Sequence, residues 1–248
     1  MVADVVASAA SLRTPTERRE DRVSTLDATH PSRLDCRRAG RGAEGATRPM
    51  TIVWPCPMTA HEYATAGRAA LIPRADCPEC AQPMIFFGFY MRPLRLGGEE
   101  LRLLVRRARC QACRSTHGLL PDFVTAFRLD GVEVIGRAVA SVISGAPMRV
   151  AAAKADVPYA TLRDWFRRFR ARADLLARGF LAATVALGDL IGQVPAGAAT
   201  AALFAISALG AAARRRFGSH AGGDWLVANR VVGGDLLATN TNPPWTVV

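Results

Sequence analysis

Apolar positions follow different periods along the chain, and each stretch of constant period predicts one kind of element. Residues 1–50 have none: from Arg13 through Ala43-Glu44-Gly45-Ala46, charged, polar and small residues follow without helical or alternating order. That pattern predicts a disordered tail, with folding beginning near Met50. Residues 51–75 open as a short candidate strand and continue as a helical piece with Tyr63, Ala66 and Ala70 on its apolar face, weakened by Gly67. Beyond Pro83 the run Met84-Ile85-Phe86-Phe87-Gly88-Phe89-Tyr90 is rich in strand formers, Gly97-Gly98 signals a hairpin, and residues 101–108 read as the returning strand. There Leu101, Leu103 and Val105 alternate with Arg102 and Arg106, so one face is apolar and the other basic. Residues 114–128, with Pro121 among them, read as an irregular connector.

The period then changes to helical. Asp130 is placed to N-cap a helix with Glu133 as its capping-box partner, and Ile135, Ala138, Val139, Val142 and Ile143 form the buried stripe, ended by Gly145 and Pro147. A short alanine-rich helix over 148–155, a turn at Asp156-Val157-Pro158 and an amphipathic helix over 158–173 give a helix-turn-helix pattern. Leu162, Trp165, Phe166 and Phe169 fall in one arc and should face the core, which turns Tyr159, Ala160, Arg163, Asp164 and Arg167 outward. Residues 177–213 are small and apolar, and 190–213 carry no charge before Arg214-Arg215-Arg216. A membrane span is the alternative there, but Gln193, Pro195 and the many Ala and Gly favour alanine-rich helices broken at Pro195, a candidate dimerising hairpin. The last segment, from Trp225 to Trp245, reads as short irregular or β structure.

Four of the six cysteines change the picture most. Cys77-Pro78-Glu79-Cys80 and Cys110-Gln111-Ala112-Cys113 flank the predicted hairpin, separated by 29 residues. Each C-x2-C pair puts two sulfurs on one tight turn, and two such turns complete a tetrahedron, so the expected cofactor is Zn2+ held in a zinc ribbon. A Cys3His set that uses His117 is the alternative ligand set, and His61 reads as a surface or capping residue. Cys36 and Cys56 remain as free thiols without a role.

Composition points to a polyanionic partner. A formal net charge of +11 comes almost wholly from arginine, and guanidinium-rich surfaces gain affinity for phosphate by releasing counterions. The tail is a poor candidate for a nucleic-acid arm, because its nine Arg face seven Asp plus Glu. Arg163 and Arg167 are therefore the candidates for base edges, with Tyr159 beside them, and Arg168, Arg170 and Arg172 the candidates for phosphates. Phe86, Phe87, Phe89 and Tyr90 read first as hairpin core or interface and only second as base-stacking groups. The N-terminus lacks the basic segment of a signal peptide, which with paired thiols suits a reducing cytoplasm. No P-loop, nucleophile elbow, H-E-x-x-H helix or zinc-deaminase signature occurs, and the few acids beyond residue 173 lack the β-α alternation of a two-metal nuclease core. The chain reads as no enzyme.

The order Cys77-Pro78-Glu79-Cys80, a strand with Gly88-Phe89-Tyr90 and Arg92, then Arg107-Ala108-Arg109-Cys110-Gln111-Ala112-Cys113, Leu120-Pro121 and a helix-turn-helix resembles an uncharacterised bacterial family of zinc-ribbon proteins. It is a domain of unknown function frequent in actinobacteria, and the likeness covers about residues 51–245, including the closing Leu236-Leu237-Ala238-Thr239-Asn240-Thr241-Asn242-Pro243-Pro244-Trp245. Similar architectures stand at the N-termini of insertion-sequence transposases. The resemblance implies a DNA-binding module accessory to a mobile element and, residue by residue, Cys77, Cys80, Cys110 and Cys113 as ligands.

The expected fold is α+β, mostly α: a tail over 1–50, a zinc ribbon with a preceding helix over 51–120, a helix-turn-helix over 121–178, and alanine-rich helices with an irregular end over 179–248. The expected function is zinc-dependent, sequence-specific binding of double-stranded DNA by a transcription regulator or transposon-associated factor. A protein-interaction adaptor, for instance of a transposase, and a membrane-anchored regulator are the rival readings.

Overall fold

The computed structural model describes residues 51–237. The expected disordered tail, Cys36 and the closing residues 238–248 lie outside them. Four strands and six α-helices follow one another in the order β1 (Thr51–Trp54), α1 (Ala60–Ala66), β2 (Met84–Arg95), β3 (Glu100–Cys110), β4 (Thr116–Pro121), α2 (Val132–Ile143), α3 (Met148–Lys154), α4 (Tyr159–Ala186), α5 (Ala198–Phe217) and α6 (Asp224–Val231). The architecture is mixed α+β.

The strands form one sheet in the order β1-β4-β3-β2. β2 and β3 make the predicted hairpin, with a bulge between Phe86 and Gly88 that lets Phe89 face Arg106 and Phe86 face Ala108. Gly97 supplies the φ of 81° that the hairpin turn needs. The segment expected to be an irregular connector contains a strand instead: β4 runs antiparallel to β3 and parallel to β1. Its pattern hides it, because β4 is paired on both sides and needs no polar face; His117, Leu119, Leu120 and Pro121 are all buried. α1 begins at a capping box in which Thr59 and Glu62 hydrogen-bond reciprocally, and Gly67 ends it. Its Tyr63 is fully buried, donates its hydroxyl to Leu104 O at 3.1 Å and packs edge-on to Phe123.

The helices have their own core. α2 buries Val132, Val134, Ile135, Ala138 and Val139, while α4 buries Leu162, Trp165 and Phe169 as the helical period requires. Phe166 is only half-buried. The N-cap of α2 departs from expectation: Gly131 occupies it without a side-chain cap, and Asp130 pairs with Arg95 at 2.8 Å instead. α4 runs 28 residues, well past the expected end at 173, and its second half packs along α5 to form a helical hairpin. Leu176, Phe180 and Ala183 share one core with Ile206 and Leu209, so the expected boundary between residues 178 and 179 falls inside a helix and inside a continuous core. The start of the segment read as irregular or β belongs instead to helix α6, whose Trp225 reaches Phe169 with ring centroids 6.0 Å apart. Among the described residues no helix is long and apolar enough to cross a membrane, because residues 187–197 break the uncharged stretch before α5 begins.

Asn229 joins the two cores. Fully buried on α6, it donates its amide to Asp122 O at 2.7 Å and Val124 O at 3.0 Å just after β4. Asp122 meets Arg230 at 3.2 Å, and burial pushes its carboxyl up to about 6 against the opposing pull of that guanidinium. Replacing Asn229 with Leu leaves two buried carbonyls without that donor, so urea denaturation should read a loss of about 2–6 kcal/mol, with each orphaned group costing about 1–3.

Candidate metal centre and basic helix face

Two turns bring the four cysteines together. Cys77 N–H donates to Gln82 O and Ala81 N–H to Cys77 O, both at 2.8 Å, folding the first pair just before β2. Cys110 N–H donates to Ser115 O at 2.9 Å, folding the second pair between β3 and β4. The residue after each second cysteine, Ala81 at φ 54° and Arg114 at φ 68°, takes the left-handed conformation. The hairpin register then matches Met84 with Cys110, which sets the two turns side by side at one end of the sheet.

The sulfurs of Cys77 and Cys113 are 3.5 Å apart, as are those of Cys80 and Cys110, and all four lie within 4.8 Å of one another. A tetrahedron with metal–sulfur bonds of about 2.3 Å has edges of about 3.8 Å, whereas a disulfide needs about 2.05 Å. The four cysteines are free thiols and can hold one metal ion. Burial pushes the Cys77 thiol up to about 12 and raises Cys80. Burial acts upward on Cys113 too, but hydrogen bonding with Ser115, Cys77 and Cys110 outweighs it and brings that thiol to about 7. Ser115 in turn donates to Glu79 at 2.5 Å.

His117 stands behind this cluster rather than in it. It is 2 % exposed on β4, with Nε2 3.9 Å from the Cys77 sulfur. The tight set is therefore all-cysteine, and the Cys3His alternative is not assembled. His61 is exposed and bonds Glu99 at 2.9 Å, a surface contact as expected. Cys56 is a free thiol that burial pushes up to about 12.

The predicted arginine face divides in two. Tyr159, Arg163, Arg167 and Arg170 are exposed on α4. Arg167 is held to Asp164 at 2.7 Å and Arg170 lies 5.8 Å from the Phe166 ring. Arg168 and Arg172 turn inward: Arg168 bonds Asp164 at 2.6 Å with a side chain only 19 % exposed, and Arg172 donates to Asp235 O at 2.6 Å. Both positions look solvent-facing in a helical period, but a guanidinium can fold back to a carbonyl 63 residues away in the chain.

One residue escaped the sequence reading. Arg149, exposed in the first turn of α3, lies 5.4 Å from the centre of the Tyr159 ring, and Arg163 approaches the same ring at 5.9 Å. Two helices thus set two cations around one exposed aromatic, across the turn that joins them. The signal it left was only its place, the second residue of the short helix that precedes Tyr159. On the sheet, Arg106 stacks on Phe86 and Phe89 at 4.7 and 4.0 Å, and Arg107 on Phe87 at 4.9 Å, so these aromatics already have cationic partners.

No curated protein and no solved structure matches the chain. Residues 77–165, from the first metal-cluster cysteine through Trp165 of α4, match the model of a family described as a domain of unknown function, DUF6431.

Proposed function

We propose that the chain is a zinc-stabilised protein that binds double-stranded DNA. In this reading the two cysteine turns and the β2–β3 hairpin are a zinc ribbon, α3 and α4 are a helix-turn-helix, and the first half of α4 enters the major groove. The observation that carries it is the convergence of Arg149 and Arg163 on Tyr159 at the exposed start of α4. Recognition helices lead with their N-terminal half, and a guanidinium held against an aromatic ring is oriented before it meets a guanine edge. The formal net charge of +11 supports the same partner.

The division of the arginines revises the contact set. Arg163 and Arg167 remain the base-reading candidates and Arg170 a phosphate contact, joined by Arg149; Arg168 and Arg172 support the fold. Arg163→Ala should relax sequence preference at one position with a loss of about 1–3 kcal/mol. Arg170→Ala should weaken all duplexes alike and lower the salt slope by about 0.9. Selection from a random duplex library followed by titration over a salt series reads both. Salt-independent affinity, or none in the metal-loaded protein, counts against the reading.

The reading assigns the chain no catalytic step and places it as a transcription regulator or a transposon-associated factor working in the cytoplasm. The apolar tip between α4 and α5, where Leu190 is 95 % exposed, is the surface it leaves for a second copy. One observation favours an adaptor instead: Ile85, Phe87 and Met91 are 47 %, 45 % and 52 % exposed along the edge strand β2, a surface suited to a protein partner. An adaptor of that kind predicts no salt-dependent DNA binding.

A further inference from the structure

His117 is a buried histidine that neither the four-cysteine set nor the exposed arginine face uses. It sits on β4 opposite Ala108 of β3 and is 2 % exposed, so its ring is closed off from water. Nε2 lies 3.9 Å from the Cys77 sulfur, within reach of that large atom, and Nδ1 has no hydrogen-bond partner among the described residues. An apolar residue would fill the same space without leaving a buried polar atom unsatisfied. The contact made by Nε2 is what the imidazole adds.

The nature of that contact depends on which nitrogen of the neutral ring carries its proton. A proton on Nδ1 would bury a donor with nothing to receive it. A proton on Nε2 is aimed at sulfur and leaves on Nδ1 only an unprotonated lone pair. The cluster gives that donor a reason. Four thiolates outweigh the charge of one divalent ion, so the loaded cluster is anionic, and Cys77 and Cys110 are the two of its members that are buried. Cys80 and Cys113 are partly exposed and can be solvated. A buried thiolate needs protein donors in place of water, and hydrogen bonds to an ionised acceptor are the strong ones. The backbone at Glu79 and Cys80 supplies donors from within the Cys77 turn; His117 adds one from β4.

We propose that His117 is a positioning residue of the metal centre: its Nε2–H donates to the Cys77 thiolate, fixes the orientation of that ligand and tightens the hold on the metal. The proposal rests on the zinc reading of the cysteine cluster and is independent of DNA binding. It gives β4 a part in the site although the strand supplies no ligand.

The test uses the full chain, isotopically labelled in histidine nitrogen and loaded with Zn2+. Long-range proton–nitrogen correlation spectra should show His117 protonated at Nε2 and bare at Nδ1. His117→Phe keeps a planar ring and lacks the donor, whereas His117→Gln carries an amide N–H near the place of Nε2. Competition with a chromogenic chelator should read zinc binding about tenfold weaker in His117→Phe, with most of the loss recovered in His117→Gln. With Co2+ in place of Zn2+, the thiolate-to-metal charge-transfer band should move to longer wavelength in His117→Phe and return towards its wild-type position in His117→Gln, because a donor on sulfur lowers the energy of the electrons transferred. A ring proton on Nδ1, a His117 nitrogen bonded to the metal, undiminished zinc affinity in His117→Phe, or equal losses in the two variants overturns the proposal and leaves the zinc reading standing. The proton's place is read on wild type, so it decides even where a variant fails to fold. Failure of wild type to bind zinc overturns the zinc reading and the proposal with it.

Discussion

Removing the metal, by chelation or by Cys110→Ser, is expected to unfold the sheet while leaving the helical hairpin largely intact. The asymmetry follows from the two cores. The sheet's core has Leu94, Leu103, Val105 and Leu119 at its centre and includes Cys77 and Cys110 themselves, so its end is closed by the cysteine turns. Without a cation, four thiols face one another in a largely buried cluster, and contacts such as the Ser115–Glu79 hydrogen bond stand in for the metal bonds between the two turns. Apparent zinc-binding energies of small structural sites are about 10–16 kcal/mol near neutral pH, more than a sheet of this size is expected to supply by itself. The helices bury Leu162, Phe169, Phe180 and Ile206 around a core that contains none of the ligands. Hydrogen exchange should therefore show β2, β3 and β4 losing protection on chelation while the middle of α4 and of α5 keeps it, and metal analysis should read one zinc per folded chain. Retention of both metal and sheet protection in Cys110→Ser would remove the assignment. Because the ligands bind as thiolates, the metal should also be released as pH falls: burial holds Cys77 far above neutrality, so the proton competes with the metal most effectively there.

What the sequence made legible follows from how local each constraint is. A C-x2-C turn is four residues long and its chemistry is specific, so Cys77, Cys80, Cys110 and Cys113 could be grouped without knowing the sheet. The hairpin and the start of α4 were equally plain, because Gly97-Gly98 marks one turn and Leu162, Trp165 and Phe169 keep the helical period. Features decided by partners far along the chain were not. β4 is a strand because β1 and β3 flank it, and Gly118 is there so that the Tyr90 ring can approach, its hydroxyl 3.1 Å from where a Cβ would sit. Helix α6 breaks the apolar period with an asparagine that looks solvent-facing and is instead the tie to Asp122 and Val124. Asp130 has the sequence of a cap but is taken by Arg95 from the hairpin. Arg168 and Arg172 resemble surface cations, and only the path of the residues after α6 shows that Arg172 has an internal acceptor. Long polar side chains are the hardest to place from a period, since their charged ends lie several ångströms from the position the period assigns.

Gly136→Ala and Gly210→Ala are each expected to destabilise the helical unit by about 2–3 kcal/mol, although alanine is the better helix former. In an exposed helix interior the change would gain about 1 kcal/mol. Here both glycines face α6. A Cβ on Gly136 would stand 2.6 Å from Trp225 Cδ1 and closer still to other atoms of that ring, and one on Gly210 would stand 2.8 Å from the Asp224 Cα. The second contact is with backbone and no rotamer relieves it. Overpacking of this kind costs about 1–3 kcal/mol and sometimes more, and the loss should reach the upper end because α6 cannot simply withdraw. Its first turn is held by the 2.7 Å ion pair between Asp224 and Arg214, its Trp225 packs on Phe169, and its Asn229 holds the segment after β4. A shift of α6 therefore loosens the junction with the sheet as well as the helices. A double-mutant cycle isolates the cause: in a Trp225→Leu background, which removes the ring, Gly136→Ala should lose most of its cost, whereas Gly210→Ala should keep its own. Equal costs for Gly136→Ala with and without the ring would show that the close approach of α2 and α6 is not what the glycine is there to allow.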